Sequence, residues 1–244
     1  MARNSSEWSS VFSPLFLEEI RKLPDPRDPV LVDYKLCSLL WAPILMFLCR
    51  LGARRKIHFV LNTPRLARYL SLLAEEHLDK VPHGDTVRDG LKVLAVQGLA
   101  RLRTKLVAWL IEARRLEKFR LLGRHYLITL DGTGFLVLGN EPTPYTEGCL
   151  TTTLSNGETL YYRPVLEAKL VTRTGLVLSV GTEFPENPRC KGQSEEDYKQ
   201  DCELKGAYRL LPRLKEDFPC LEVCLLLDSL YACEPIFALC HRHK

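Results

Sequence analysis

Two stretches, HYLITLDGTGF (125–135) and LEVCLLLDSLYA (221–232), decide how the rest of the chain is read. Each is a run of Leu, Ile and Val that arrives at an aspartate, Asp131 in the first and Asp228 in the second. Such a run reads as a buried strand that delivers its closing side chain to one edge of a sheet. Two carboxylates brought together there repel unless a cation lies between them, so a divalent-metal site is the expectation. The competing expectation is that each aspartate caps a following turn or helix.

Working outward from these stretches, the back half alternates strand signals with one long amphipathic pattern. Strand 126–138 is followed by a Gly/Pro/Thr loop (139–149), then by strands near 150–154 and 158–172 joined through Ser155-Asn156-Gly157. In the longer of these, Leu166, Ala168 and Leu170 alternate with Glu167, Lys169 and Val171, giving one core face. Glu167 and Lys169 read as an outer-face surface pair. A strand at 176–182, an acidic loop to 196 and a helix at 199–217 interrupted by Pro212 come next. Strand 221–227 then delivers Asp228, and a helix starts near Cys233. This β-β-β-β-α-β-α order predicts an α/β sheet.

The front half reads as helices. Phe12, Leu15, Phe16, Ile20 and Leu23 recur at helical spacing, and PDPRDP (24–29) ends that pattern. A second helix covers about 33–51, with Pro43 inside it. Thr63 and Pro64 open a third as N-cap and first helical residue. Asp85 or Thr86 is expected to cap the next, and a long helix follows through Leu99 to Ala113. The expected division is an all-α domain over 1–124 and a sheet domain over 125–244.

Charge follows the same division. Residues 1–125 hold 22 Lys+Arg against 13 Asp+Glu, and residues 126–244 hold 12 against 17, so a basic front precedes an acidic back. That polarity suits a DNA-gripping module joined to a metal-binding one, against the alternative of ordinary solvated helix surface. Candidate phosphate contacts are Arg54, Arg55, Lys56, Arg101, Arg103, Lys105, Arg114 and Arg115. No helix-turn-helix signature names base-reading residues. The nine cysteines contain no Cys-x-x-Cys pair, and several lie in apolar runs, which favours reduced thiols and a cytoplasmic location. The CHRH tail (240–243) has ligand types but lacks the second pair of a zinc site. The polar N-terminus carries no secretory signal, and the apolar stretch 36–49 is too short to span a bilayer.

In order and spacing these segments resemble insertion-sequence transposases of the DDE type. LDGTG (130–134) is similar to that family's first-aspartate strand. YYRPVLEAKLV (161–171) and LSVGTEF (178–184) resemble the two strands after it. QDCELK (200–205) resembles the start of the helix before the second acid, and LLDSLYA (226–232) the strand that carries it. DPR (25–27), an apolar helix and PHGDT (82–86) are similar to the helical region ahead of such cores.

The resemblance implies a ribonuclease-H-like mixed sheet, incomplete here, behind an all-α N-terminal domain. It implies Mg²⁺ or Mn²⁺ held by Asp131 and Asp228, and metal-dependent strand cleavage and transfer on DNA at transposon ends. Gly132, Thr133 and Gly134 would then let a DNA backbone come close, or simply form a strand of low side-chain bulk. The family's third acid, usually a glutamate on a later helix, has no counterpart by position. Glu234 lies too close behind Asp228, and Glu183 and Glu186 precede it, although Glu183 reads as a supporting acid. The expectation is therefore a polypeptide that is truncated before its third acid and weak or inactive alone. It leaves room for a homo-oligomer and for a C-terminal portion encoded downstream. A non-catalytic DNA-binding remnant or regulator, and an unrelated metal-dependent nuclease on the same fold, are the other readings.

Overall fold

The computed structural model describes residues 14–187 and 201–243. The protein is mixed α/β, helices first, and divides into two compact units, Met1–Leu102 and Arg103–Lys244. The division falls inside a helix, so the candidate cations from Arg103 onward belong to the sheet-bearing unit, whereas the sequence reading drew its line after residue 124. Among the described residues no helix is long and apolar enough to cross a membrane.

The first unit contains α1 (Pro14–Arg21), α2 (Leu36–Leu48), α3 (Pro64–Ala74), α4 (Gly84–Lys92) and the start of α5 (Val96–Glu112). α2 is almost wholly apolar. Its first turns, Leu36 to Ala42, are buried, and Trp41 packs edge-on against Phe16 with ring centroids 5.7 Å apart. Leu39, Ile57 and Leu70 complete the centre of this core. Thr63 caps α3 as the sequence predicts, its hydroxyl accepting from Leu66 N at 3.2 Å, with Pro64 next. The cap of α4 differs from expectation. His83 fills it, its Nδ1 accepting from Asp85 N at 3.2 Å, because the helix begins at Gly84, two residues before the start that an Asp85 cap would give. A side chain at Gly84 would meet the Arg54 carbonyl oxygen at 2.8 Å, which explains the glycine there. The DPR segment is held by its own ions: Arg27 donates to both Asp25 oxygens, at 2.8 and 2.6 Å, and to the Tyr34 carbonyl at 2.8 Å.

The second unit holds the rest of α5, strands β1 (Tyr126–Gly139), β2 (Leu150–Thr153), β3 (Thr159–Val171) and β4 (Val177–Glu183), then α6 (Glu203–Asp217), β5 (Val223–Leu226) and α7 (Glu234–Arg242). These strands form one five-stranded sheet. β3 lies beside β1; β2 and β4 share the far side of β3, β2 along its first residues and β4 along its last. β5 lies on the other side of β1 and is the one parallel partner in the sheet. The alternation in β3 resolves as the sequence predicts, with Leu166, Ala168 and Leu170 at most 1% exposed. α6 lays Ala207, Leu210, Leu211 and Leu214 onto that face. Gly181 makes room for the contact, since a Cβ there would stand 2.8 Å from Leu210 Cδ1.

Candidate metal centre where β5 parts from β1

The parallel ladder between β1 and β5 pairs Tyr126 with Val223 and runs to Thr129 with Leu226. Asp131 and Asp228 each follow two residues later, so they stand at the same level, just past the last β1–β5 pair. Strands paired in this way lie about 4.8 Å apart. Both aspartates are exposed. Two details differ from the sequence reading. β1 continues eight residues past Asp131, because β3 still pairs with it after β5 has left; Asp131 itself stands opposite Glu167. Asp228 also caps the turn Ser229–Tyr231, its Oδ1 accepting from Leu230 N at 2.9 Å, so the capping expectation holds for this aspartate.

A third acid reaches this end of the sheet from α6. Glu203 Oε1 accepts from Gly132 N at 3.1 Å and from the hydroxyl of Tyr231. Tyr231 is 1% exposed, and burial pushes its phenol above the ordinary value; Glu203, then the charges of Asp228 and Asp131, push in the same direction. All three carboxylates therefore bear on one buried phenol. The space at Gly132 is occupied by this carboxylate: a Cβ there would collide with Glu203. Gly134, by contrast, has open space where a Cβ would stand. Sequence reasoning missed Glu203 and Tyr231. Glu203 lies 71 residues from Gly132, and the only local signal was the glycine directly after Asp131.

Among the described residues no Lys, Arg or His forms a salt bridge with Asp131, Asp228 or Glu203. Nor do any three of His, Cys, Asp or Glu stand close enough to cage an ion. The donor set still suits Mg²⁺, which keeps several waters and takes one or two carboxylates together with substrate phosphates rather than an all-protein cage.

The remaining acids are engaged elsewhere. Glu183 pairs with Arg209 at 2.6 Å and Arg213 at 2.9 Å, which removes it as a supporting acid. Glu186 lies 3.4 Å from Arg163, and Glu234 opens α7. Glu167 is half-buried and accepts from Ser179 at 2.8 Å and Thr182 at 2.5 Å, instead of pairing with Lys169 on the surface. Of the tail, Cys240 is half-buried and His241 exposed. The eight cysteines among the described residues are free thiols.

The candidate cations are not alike. Arg54, Arg55, Lys56 and Arg101 are exposed in the first unit, Arg54 lying 3.5 Å from Asp85. Lys105, Arg114 and Arg115 are exposed in the second. Arg103 is not a surface cation: its guanidinium turns into the sheet, donating to Thr182 Oγ1 at 2.6 Å and Ser179 Oγ at 3.5 Å. Burial lowers its pKa, opposed by the charges of Glu167 and Asp217. The helical period explains the difference, since Arg103 lies on the face of α5 that carries the buried Val107.

The chain matches no family model, no curated protein and no solved structure.

Proposed function

We propose that the chain is a DDE-type DNA transposase polypeptide whose sheet unit follows the ribonuclease-H-like plan. The observation that carries this reading is the register of β1 and β5, which brings Asp131 and Asp228 out at one level of two adjacent parallel strands. The order β4–β3–β1–β5, with only the last pair parallel, supports it. Asp131 and Asp228 would hold Mg²⁺ or Mn²⁺, which, when bound, lowers the pKa of an attacking water or 3′-hydroxyl and steadies charge on the scissile phosphate. The side chains themselves supply the charge and hold it at the sheet end. Exposed Arg54, Arg55, Lys56 and Arg101 offer the first unit's phosphate contacts. With two carboxylates rather than a three-ligand group, the activity expected of this chain alone is weak.

A second reading, a non-catalytic DNA-binding protein, is favoured by the cap that Asp228 provides to its own turn. Supercoiled plasmid incubated with the full chain and Mn²⁺ separates the two. Slow nicking lost in both Asp131→Ala and Asp228→Ala supports the enzyme. Binding that weakens steeply with added salt, without nicking, supports the second reading. Affinity that ignores salt, with no nicking, removes both.

A further inference from the structure

The backbone ladder between β1 and β5 stops at Thr129 and Leu226, two residues short of each aspartate. Beyond that point no β1–β5 hydrogen bond fixes Asp131 relative to Asp228. The link that remains is made by side chains. Gly132, next to Asp131, donates its N–H to Glu203, and Tyr231, in the turn that Asp228 caps, donates its hydroxyl to the same oxygen.

We propose that Glu203 is the positioning residue of the acidic pair, its carboxylate tying the backbone beyond Asp131 to the phenol beyond Asp228 and so setting the separation of the two aspartates. The proposal rests on the reading of Asp131 and Asp228 as metal ligands. Three observations converge on it. Both arms land on a single acceptor oxygen, Oε1, so one side chain joins the two backbones. The glycine at 132 is explained by the brace, since any side chain there would evict the carboxylate. Tyr231 is buried, so its end of the brace is set in the core and does not swing. Glu203 is also the first residue of α6, a helix anchored on the sheet through Ala207, Leu210 and Leu214. The brace thus refers both aspartates to a rigid element. In this role Glu203 acts through the aspartates, by where it holds the backbone beside each of them.

The test is a Mn²⁺ titration of the full chain, followed by the EPR signal of unbound Mn²⁺, with thermal melts of every variant. Glu203→Gln retains an acceptor oxygen and is expected to keep wild-type affinity. Glu203→Ala and Tyr231→Phe each remove an arm and are expected to weaken Mn²⁺ roughly tenfold, at the low end for partners one shell from a metal. Combining them should cost no more than Glu203→Ala alone, because both cut one brace. Tyr231→Phe keeps the buried ring, so its effect is readable even where Glu203→Ala does not fold. Glu203→Gln losing as much as Glu203→Ala would make the charge itself the requirement and overturn the proposal. Wild-type affinity in Tyr231→Phe would overturn it too. Asp131→Asn and Asp228→Asn tell the two ideas apart: if they bind Mn²⁺ like wild type, the metal reading itself fails. If they lose it while Tyr231→Phe does not, only the brace fails.

Discussion

Along the β4 side of the sheet, Glu167, Glu183 and Asp201 are met by arginine: Arg103 acts on the first, Arg209 and Arg213 hold the second, and Arg209 lies 2.7 Å from the third. Just past the point where β5 parts from β1, Asp131 and Asp228 are exposed, without an arginine or lysine salt bridge among the described residues. One sheet thus carries acids of two kinds. Those facing arginine serve as scaffold, because their charge is already balanced. Among the described residues Asp131 and Asp228 have no such partner, and under the proposed function they would take a metal ion. Carboxylates are abundant in the sequence of both regions, so it is the position of arginine that separates them.

The largest expected effect tests that separation directly. Asp131→Asn or Asp228→Asn should weaken Mn²⁺ binding by more than the roughly 100-fold that an outer partner can cost. Melting should barely move, since Asp131 is exposed and Asn still caps a turn at 228. Unchanged Mn²⁺ affinity would erase the distinction between the two regions. The opposite pattern is expected for Arg103→Met. It strips a half-buried network of its cation and should cost about 1–3 kcal/mol of stability in a urea titration, with Mn²⁺ affinity intact. A stable Arg103→Met protein would mean that Glu167 does not need its arginine.

A smaller effect is expected of Gly132→Ala, which crowds Glu203 without touching either aspartate. Mn²⁺ binding should fall roughly tenfold. Wild-type affinity there would detach Glu203 from the strand-end pair.

The smallest effect belongs to Asp201. Burial opposes its ionisation, but the hydrogen bonds and charge of Arg209, together with the backbone N–H groups of Cys202 and Glu186, outweigh burial and hold the carboxyl below its ordinary value of 3.8. A lowered native value means that the folded protein binds this proton more weakly than the unfolded chain. The contribution to stability is therefore present above about pH 4–5 and is lost as pH falls through the lowered value. Because Arg209 is 43% exposed, the contribution is at most about 1 kcal/mol. Asp201→Asn should flatten the acid limb of the stability curve by that amount and leave the neutral plateau nearly level. An unchanged acid limb would place Asp201 with the solvated acids.

Much of the fold was legible in the sequence because it follows local periodicity. The alternation of Leu166, Ala168 and Leu170 gave a buried strand face, and Thr63-Pro64 gave a helix start. The two aspartates were legible for the same reason, each closing an apolar run. Exceptions arose where a residue's surroundings lie far away in the chain. Arg103 and Glu167 read as surface charges, yet they meet through Ser179 and Thr182, more than seventy residues from Arg103. The cap at His83 escaped notice because imidazole is not a usual N-cap.

Composition and periodicity by themselves determined a helical, basic front, a sheet-forming, acidic back, and two aspartates carried out of a core by greasy strands. Only the tertiary structure decided that those strands are parallel neighbours in one register, that Glu203 crosses from a helix to join them, and that arginine sits beside the other acids. The reason is physical. A side-chain period of 2 or 3.6 residues is written in neighbouring positions, whereas strand order and charge pairing depend on which distant segments the core brings into contact.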